Sequence, residues 1–314
     1  GSMTATNGPT SVRGIYLSQK CEFIRGKSLR VCLCAALALA TAGLMRAQTE
    51  LPLHPLEQEG DSITGALDGW FQNPDGTYSI LLGYFNRNMK EVMDIPIGPD
   101  NHIDPGGPDR GQPTHFLPRR QWGLFTITVP KDFGDQKLTW TIVANGKSTV
   151  IPASLNPLWE VSPYKEDSME NTPPFLSFKP DSLSHQGPIP LVESLTTTVG
   201  TPLPLTVWGG DDAKTLPGTR RPPPKTPPIT VSWSKYRGPG EVTFANAKPK
   251  IETGVCKPGT TSKVCGQAST TATFSAPGKY ELYVVLNDWS GEGGRGFQCC
   301  WTNGHVSVTV NPGK

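Results

Sequence analysis

Short runs of alternating apolar and polar residues, each closed by glycine or proline, recur along the chain from Ser62 to Val310. A period of two is the signature of a strand with one buried face, so the pattern predicts an all-β chain with almost no helix after residue 48. Glycine (34 residues) and proline (32) supply the turns that many short strands require. The same composition would suit a disordered, low-complexity chain. Against that reading, Trp70, Trp122, Trp140, Trp208, Trp233, Trp289 and Trp301 lie along the alternating segments, and disordered chains are poor in such side chains. The 314 residues are enough for two domains, each with its own core.

Residues 1–47 read differently. Gly1 and Ser2 precede Met3 as a tag scar, and Lys20, Arg25, Lys27 and Arg30 then flank an apolar run from Val31 to Leu44. That run, about 14 residues, is short of the roughly 20 that a helix needs to cross a bilayer and suits the core of a signal peptide. Cleavage after Ala47 fits best; a retained membrane anchor and a buried N-terminal helix are the alternatives. Six of the 29 basic and one of the 27 acidic residues lie in this segment, leaving 23 and 26, a net charge of −3. The basic character of the whole chain therefore belongs to the leader, which argues against nucleic acid as a partner. The mature chain keeps Cys256, Cys265, Cys299 and Cys300, an even number that in an exported protein predicts disulfides. The expected location is secreted, periplasmic or at the cell surface, with no membrane span in the mature chain.

Residues 60–155 predict six strands: 62–70, 78–85, 92–97, 122–129, 137–144 and 148–153. Pro74-Asp75-Gly76 marks the first hairpin, and Asn145-Gly146 predicts a type I′ turn, since both central residues need positive φ. Residues 98–118 read as a loop. Residues 156–187 read as a Pro-rich linker, partly ordered because Leu158, Trp159, Phe175, Leu176 and Phe178 are apolar. Residues 188–311 then predict seven strands: 192–199, 203–208, 229–236, 241–244, 270–275, 280–287 and 305–310. Together these give two consecutive antiparallel β-sandwiches.

The second of them carries Val231-Ser232-Trp233-Ser234, then Gly238-Pro239-Gly240-Glu241-Val242-Thr243-Phe244, then Thr273-Phe274-Ser275-Ala276-Pro277-Gly278-Lys279-Tyr280. In these motifs residues 190–311 resemble the polycystic-kidney-disease-like and related immunoglobulin-like repeats of bacterial surface proteins. The resemblance implies a buried Trp233 in the third strand and a Tyr280 whose hydroxyl folds back onto the preceding corner. The insert 216–228 and the Cys-bearing excursions at 247–268 and 290–303 depart from the pattern.

No nucleophile elbow, His-Glu-x-x-His pair or phosphate-cradling loop stands out near His54, His102, His115, His185 or His305, so the chain reads as a non-catalytic module. Its ligand candidates are Trp70, Phe71, Trp289 and Trp301, loop aromatics suited either to stacking on a glycan or anchoring a protein partner, or to plugging a sandwich end. Asp211, Asp212, Asn287 and Asp288 offer hard oxygens suited to calcium, or else cap turns. His102, Asp104, Asp109 and His115 are a weaker metal set. The cysteines allow three pairings; cross-links from Cys256 and Cys265 to Cys299 and Cys300 are favoured, with Cys256–Cys265 plus a vicinal bridge as the alternative. Three functions compete: a binding module for protein or glycan, a self-assembling surface subunit, and a metal-dependent hydrolase with its site between the domains.

Overall fold

A computed structural model describes residues 56–166, 170–180, 182, 185–214, 226–256, 261–292 and 299–313. The predicted leader lies outside these residues. Among the described residues no helix is long and apolar enough to cross a membrane. Among the described residues the named elements are strands, together with a short 3₁₀ turn at Pro157–Trp159.

The first sandwich pairs β1 (Ile63–Gln72), β2 (Tyr78–Asn86) and β6 (Arg119–Val129) in one antiparallel sheet. A second sheet joins β4 (Asn101–Asp104), β7 (Lys137–Ala144) and β8 (Lys147–Ser154). Both inner faces meet in one core in which Trp140 stands edge-on to Phe125, ring centroids 5.3 Å apart. The Asn145-Gly146 turn has φ of 52° and 72°, the positive pair that the hairpin sequence demands. Most of the segment predicted for 92–97 is loop: only β3 (Met93–Asp94) pairs, with β5 (His115–Phe116). Both β4 and β5 fall inside the stretch read as a loop.

The second sandwich packs two sheets. One runs β10 (Leu191–Thr198), β17 (Trp301–Asn311), β16 (Gly278–Asp288), β12 (Ile229–Arg237), with β10 and β17 parallel. The other runs β13 (Val242–Phe244), β15 (Val264–Phe274), β11 (Leu203–Asp211), β9 (Phe175–Ser177), and β14 (Glu252–Gly254) also pairs β15. β9 lies within the segment read as a partly ordered linker: Phe175, Leu176 and Ser177 pair with Gly210, Gly209 and Trp208, because apolar side chains beside an open sheet edge gain both burial and a ladder. Trp233 is buried in this core, and the Tyr280 hydroxyl donates to the Ala276 carbonyl at 2.8 Å, as the resemblance implies.

The sheet of β12 and β16 is covered on both sides. Val231, Trp233, Leu282, Val284 and Leu286 face the second core. The alternate residues point the opposite way, and Tyr236 and Tyr283 are buried within the core of the first sandwich. The described residues from Leu56 onward accordingly form a single compact unit.

Candidate functional site

The residues singled out in the sequence divide among three places. The loop His and Asp residues hold the two sandwiches together. His115 Nδ1 lies 2.8 Å from Asp94 Oδ1, which also accepts from Lys235 Nζ at 3.0 Å. Burial alone would raise the Asp94 carboxyl, but hydrogen bonds from His115 and Lys235 hold it below the usual aspartate value, while burial pushes the His115 imidazole down. Asp109 takes two hydrogen bonds from Arg237, at 3.0 and 2.9 Å, and these hold its carboxyl low. Only His102 and Asp104 remain near each other, 3.4 Å apart. The weaker metal set is thus corrected: His115 and Asp109 are taken up by partners across the junction, and no three His, Cys, Asp or Glu among the described residues group as metal ligands.

The aromatic candidates are a second correction, since all four are buried. Trp70 lies under residues 156–161, its indole N–H donating to the Asn156 carbonyl at 2.7 Å, and Phe71 stands edge-on to Tyr164. Trp301 is 2% exposed and reaches across the junction to Gly123, whose carbonyl accepts its indole N–H at 3.3 Å. Trp289, which follows the last residue of β16, is also buried. These rings plug and join; none offers a face for stacking a sugar.

An exposed aromatic that was not among these candidates is Trp122, 37% exposed on β6, with the Arg120 guanidinium 4.0 Å from its ring centroid. Arg120 is itself held by the buried Asp68, whose other oxygen accepts the Gly123 N–H at 2.7 Å. Burial pushes Asp68 up to about 6 even with these partners beside it. Trp122 borders a cleft where Gln121 and Leu124 of the first sandwich meet Ser232, Ser234 and Asn287 of the second. Through Ser232, Asn287 and Glu292 the cleft continues into a larger groove of about 450 Å³ along β12. Its walls are Pro227, Pro228, Ile229, Val231, Pro249 and Ile251, with Lys248 and Lys250 at the rim.

β12 lies at the edge of its sheet. Trp233 N–H donates outward to Ala247 at 2.7 Å, and the Tyr236 carbonyl accepts from Thr114 at 3.2 Å. Ile229 and Val231 share the outward parity of Trp233, and among the described residues their outward backbone groups meet no backbone partner.

The calcium set is split. Asp288 points into the second sandwich, and Asn287, the preceding residue of β16, lines the groove on the opposite face. Burial pushes Asp211 up to about 7, with Asp288 and Asp212 adding to the rise, and burial pushes Asp288 up to about 6. The favoured disulfide pairing is also corrected: Cys256 bonds Cys265, and Cys299 bonds Cys300, the alternative pairing. Cys265 is in β15, and Gly254, two residues before Cys256, pairs with it in the ladder, so the first bridge closes a local hairpin.

The strand order, the two cores and the Tyr280 corner define an all-β protein of two sandwiches, the second immunoglobulin-like. No protein-family model matches the chain, and no curated protein matches it. Among solved structures it is similar to a protein of unknown function from Porphyromonas gingivalis W83, at 9% identity over 79% of this chain and 100% of that one, TM-score 0.21. The D0–D1 domain of intimin is similar at 12% identity over 79% and 97%, TM-score 0.21. The titin immunoglobulin tandem A164–A165 matches at 12% over 81% and 100%, TM-score 0.21. At that level of superposition the likenesses carry no argument, and the fold rests on the strands themselves.

Proposed function

We propose that this chain is a non-catalytic binding module of the cell exterior that takes an extended segment of a protein partner along β12. The observation that carries this reading is an open stretch of edge strand, Ile229 to Val231, lying in a groove of about 450 Å³ with apolar walls and two lysines at its rim. An added strand would find backbone groups to pair with, pockets for alternate side chains, and positive charge for acidic flanks. Two disulfides support an oxidising compartment, hence a secreted or surface location. The polycystic-kidney-disease-like repeat is the finer family reading for residues 190–311, supported by its Trp233 and Tyr280 motifs.

The test screens the full chain against a random-peptide display library and a glycan array side by side. Selection of acidic, β-prone peptides that are lost on Lys248→Glu plus Lys250→Glu supports the reading. Glycan binding that depends on Trp122, with no peptide selected, overturns it in favour of carbohydrate recognition at the adjoining cleft. Concentration-dependent self-association with neither ligand class overturns it in favour of a surface subunit.

A further inference from the structure

At one end of the second sandwich, where β11 and β16 stop, more acid is buried than bases answer among the described residues. Asp211 closes β11 and Asp288 closes β16, with relative exposures of 0% and 1%. Asp212 is close enough to act on both carboxyls. The adjoining Lys214 ammonium is engaged by Glu170, which also meets Lys165 at 3.6 Å.

The second observation comes from the segment ahead of β9. Asn171 is fully buried, and its side-chain Nδ2 donates to Asp288 Oδ2, which places the amide against the acid cluster. Among the described residues its Oδ1 has no hydrogen-bond partner, and neither has Asp211 Oδ1. Two oxygens are therefore stripped of water with no donor in its place, an arrangement that native structures rarely leave uncompensated. The Asn171 backbone is pinned: its carbonyl accepts the Glu166 N–H at 2.8 Å, and the Cys300 and Cys299 sulfurs lie 3.6 and 3.9 Å from it. The vicinal cysteine pair thus closes over the residue that carries the orphan oxygen.

We propose that this end of the sandwich binds a divalent cation, calcium by its chemistry, through Asp211, Asp288 and the side-chain oxygen of Asn171, with Asp212 alongside. Hard carboxylate and amide oxygens without a nitrogen or sulfur donor match calcium, which takes six to eight oxygens. Carboxylates alone do not complete the cage, since among the described residues no three acids converge on one point; the remaining donors would be the amide, backbone carbonyls and water. A half-turn of the Asn171 amide exchanges Nδ2 for Oδ1 beside Asp288, which is the arrangement an ion between them requires. The ion would tie the segment before β9 to the ends of β11 and β16.

The experiment uses the full chain stripped with chelator. Thermal midpoint is followed with added calcium, magnesium, or sodium chloride of matched ionic strength, and terbium luminescence is read through excitation of Trp289, the residue after Asp288. Calcium is expected to raise the midpoint where sodium chloride does not, and terbium to emit with saturation and to be displaced by calcium. Asp211→Asn, which keeps the shape, should weaken calcium binding by at least about tenfold. Should that variant not fold, Asn171→Ala is expected to do the same, whereas Asn171→Asp should retain binding. An unchanged midpoint in calcium together with no saturable terbium emission overturns the proposal, as does calcium binding that survives both Asp211→Asn and Asn171→Ala. Peptide selection at β12 is read separately, so failure of either reading leaves the other standing.

Discussion

Replacing Gly123 by alanine tests whether the two sandwiches unfold as one body. The Gly123 backbone has φ of +46°, and a Cβ there would sit 2.0 Å from Cζ2 and 2.8 Å from Cε2 of Trp301. The ring cannot swing aside cheaply, because it is 2% exposed and its N–H is bonded to the Gly123 carbonyl. The left-handed backbone costs about 1–2 kcal/mol for a residue with a Cβ, and overpacking adds about 1–3 kcal/mol. A loss of about 2–5 kcal/mol is therefore expected, a large share of the roughly 5–15 kcal/mol that holds a domain folded. Urea unfolding followed by tryptophan fluorescence and far-ultraviolet dichroism should show a lowered midpoint on both probes. Trp301→Ala alone should cost about 3–5 kcal/mol. In the double variant the ring is gone and only the backbone cost of Gly123→Ala remains, so the two single losses together should exceed the double by about 1–3 kcal/mol. Additivity to within about 0.5 kcal/mol would mean that the residues do not touch, and the junction described above would be wrong.

Removing the Tyr280 hydroxyl as Tyr280→Phe deletes its 2.8 Å bond to Ala276 and should destabilise by about 1 kcal/mol in the same unfolding assay. Breaking Cys256–Cys265, nine residues apart, by the double substitution to serine should cost about 2–3 kcal/mol on loop-closure grounds, whereas the vicinal bridge closes almost no chain and should cost little by that route. Asp68 has a folded-state value raised from 3.8 to about 6; its contribution is fully present below about pH 4 and lost as the pH rises through about 6. Asp68→Asn should therefore flatten the unfolding free energy between pH 4 and 6, and an unaltered slope would contradict the assignment. Asp94 and Asp109 have the opposite sign, being held below 3.8. What they add across the junction is present above about pH 4 and lost below it, which hydrogen exchange at Thr114 and Tyr236 should detect as local opening.

The strands were legible where their signal is local. Alternation placed β1, β2, β6, β7, β11, β12 and β16, and Asn145-Gly146 named its own turn. β15 and β17 extend further than expected because their first residues, Val264–Ser269 and Trp301–Gly304, include the cysteine, glycine and polar positions that read as loop. β4, β5, β9 and β14 are two to four residues long. So few residues carry no period, and their pairing is decided by the edge they meet.

Three of the site residues misread from sequence, Trp301, His115 and Asp109, share one physical cause. A tryptophan or histidine between turn formers looks solvent-facing when each sandwich is considered by itself, yet the loops and edges of the first sandwich are the surface on which the second is built. Trp301 faces Gly123, His115 and Lys235 share Asp94, and Asp109 holds Arg237, all between residues more than a hundred positions apart or joined through such a partner. No spacing rule spans that distance. Trp122 escaped notice for the converse reason: it stands in an alternating strand where burial is the default, and its ring instead borders the cleft beside Arg120, which Asp68 holds. The buried carboxylates were visible as an Asp-Asp pair at one strand end and an Asn-Asp pair at another, but the choice between Asn287 and Asn171 as their companion depends on which face of β16 each occupies and on a segment about 40 residues upstream of Asp211 that no period connects to them. A chain of joined sandwiches thus hides the partners of its polar side chains at the junctions and strand ends, where they come from separate elements and the sequence shows only the parts.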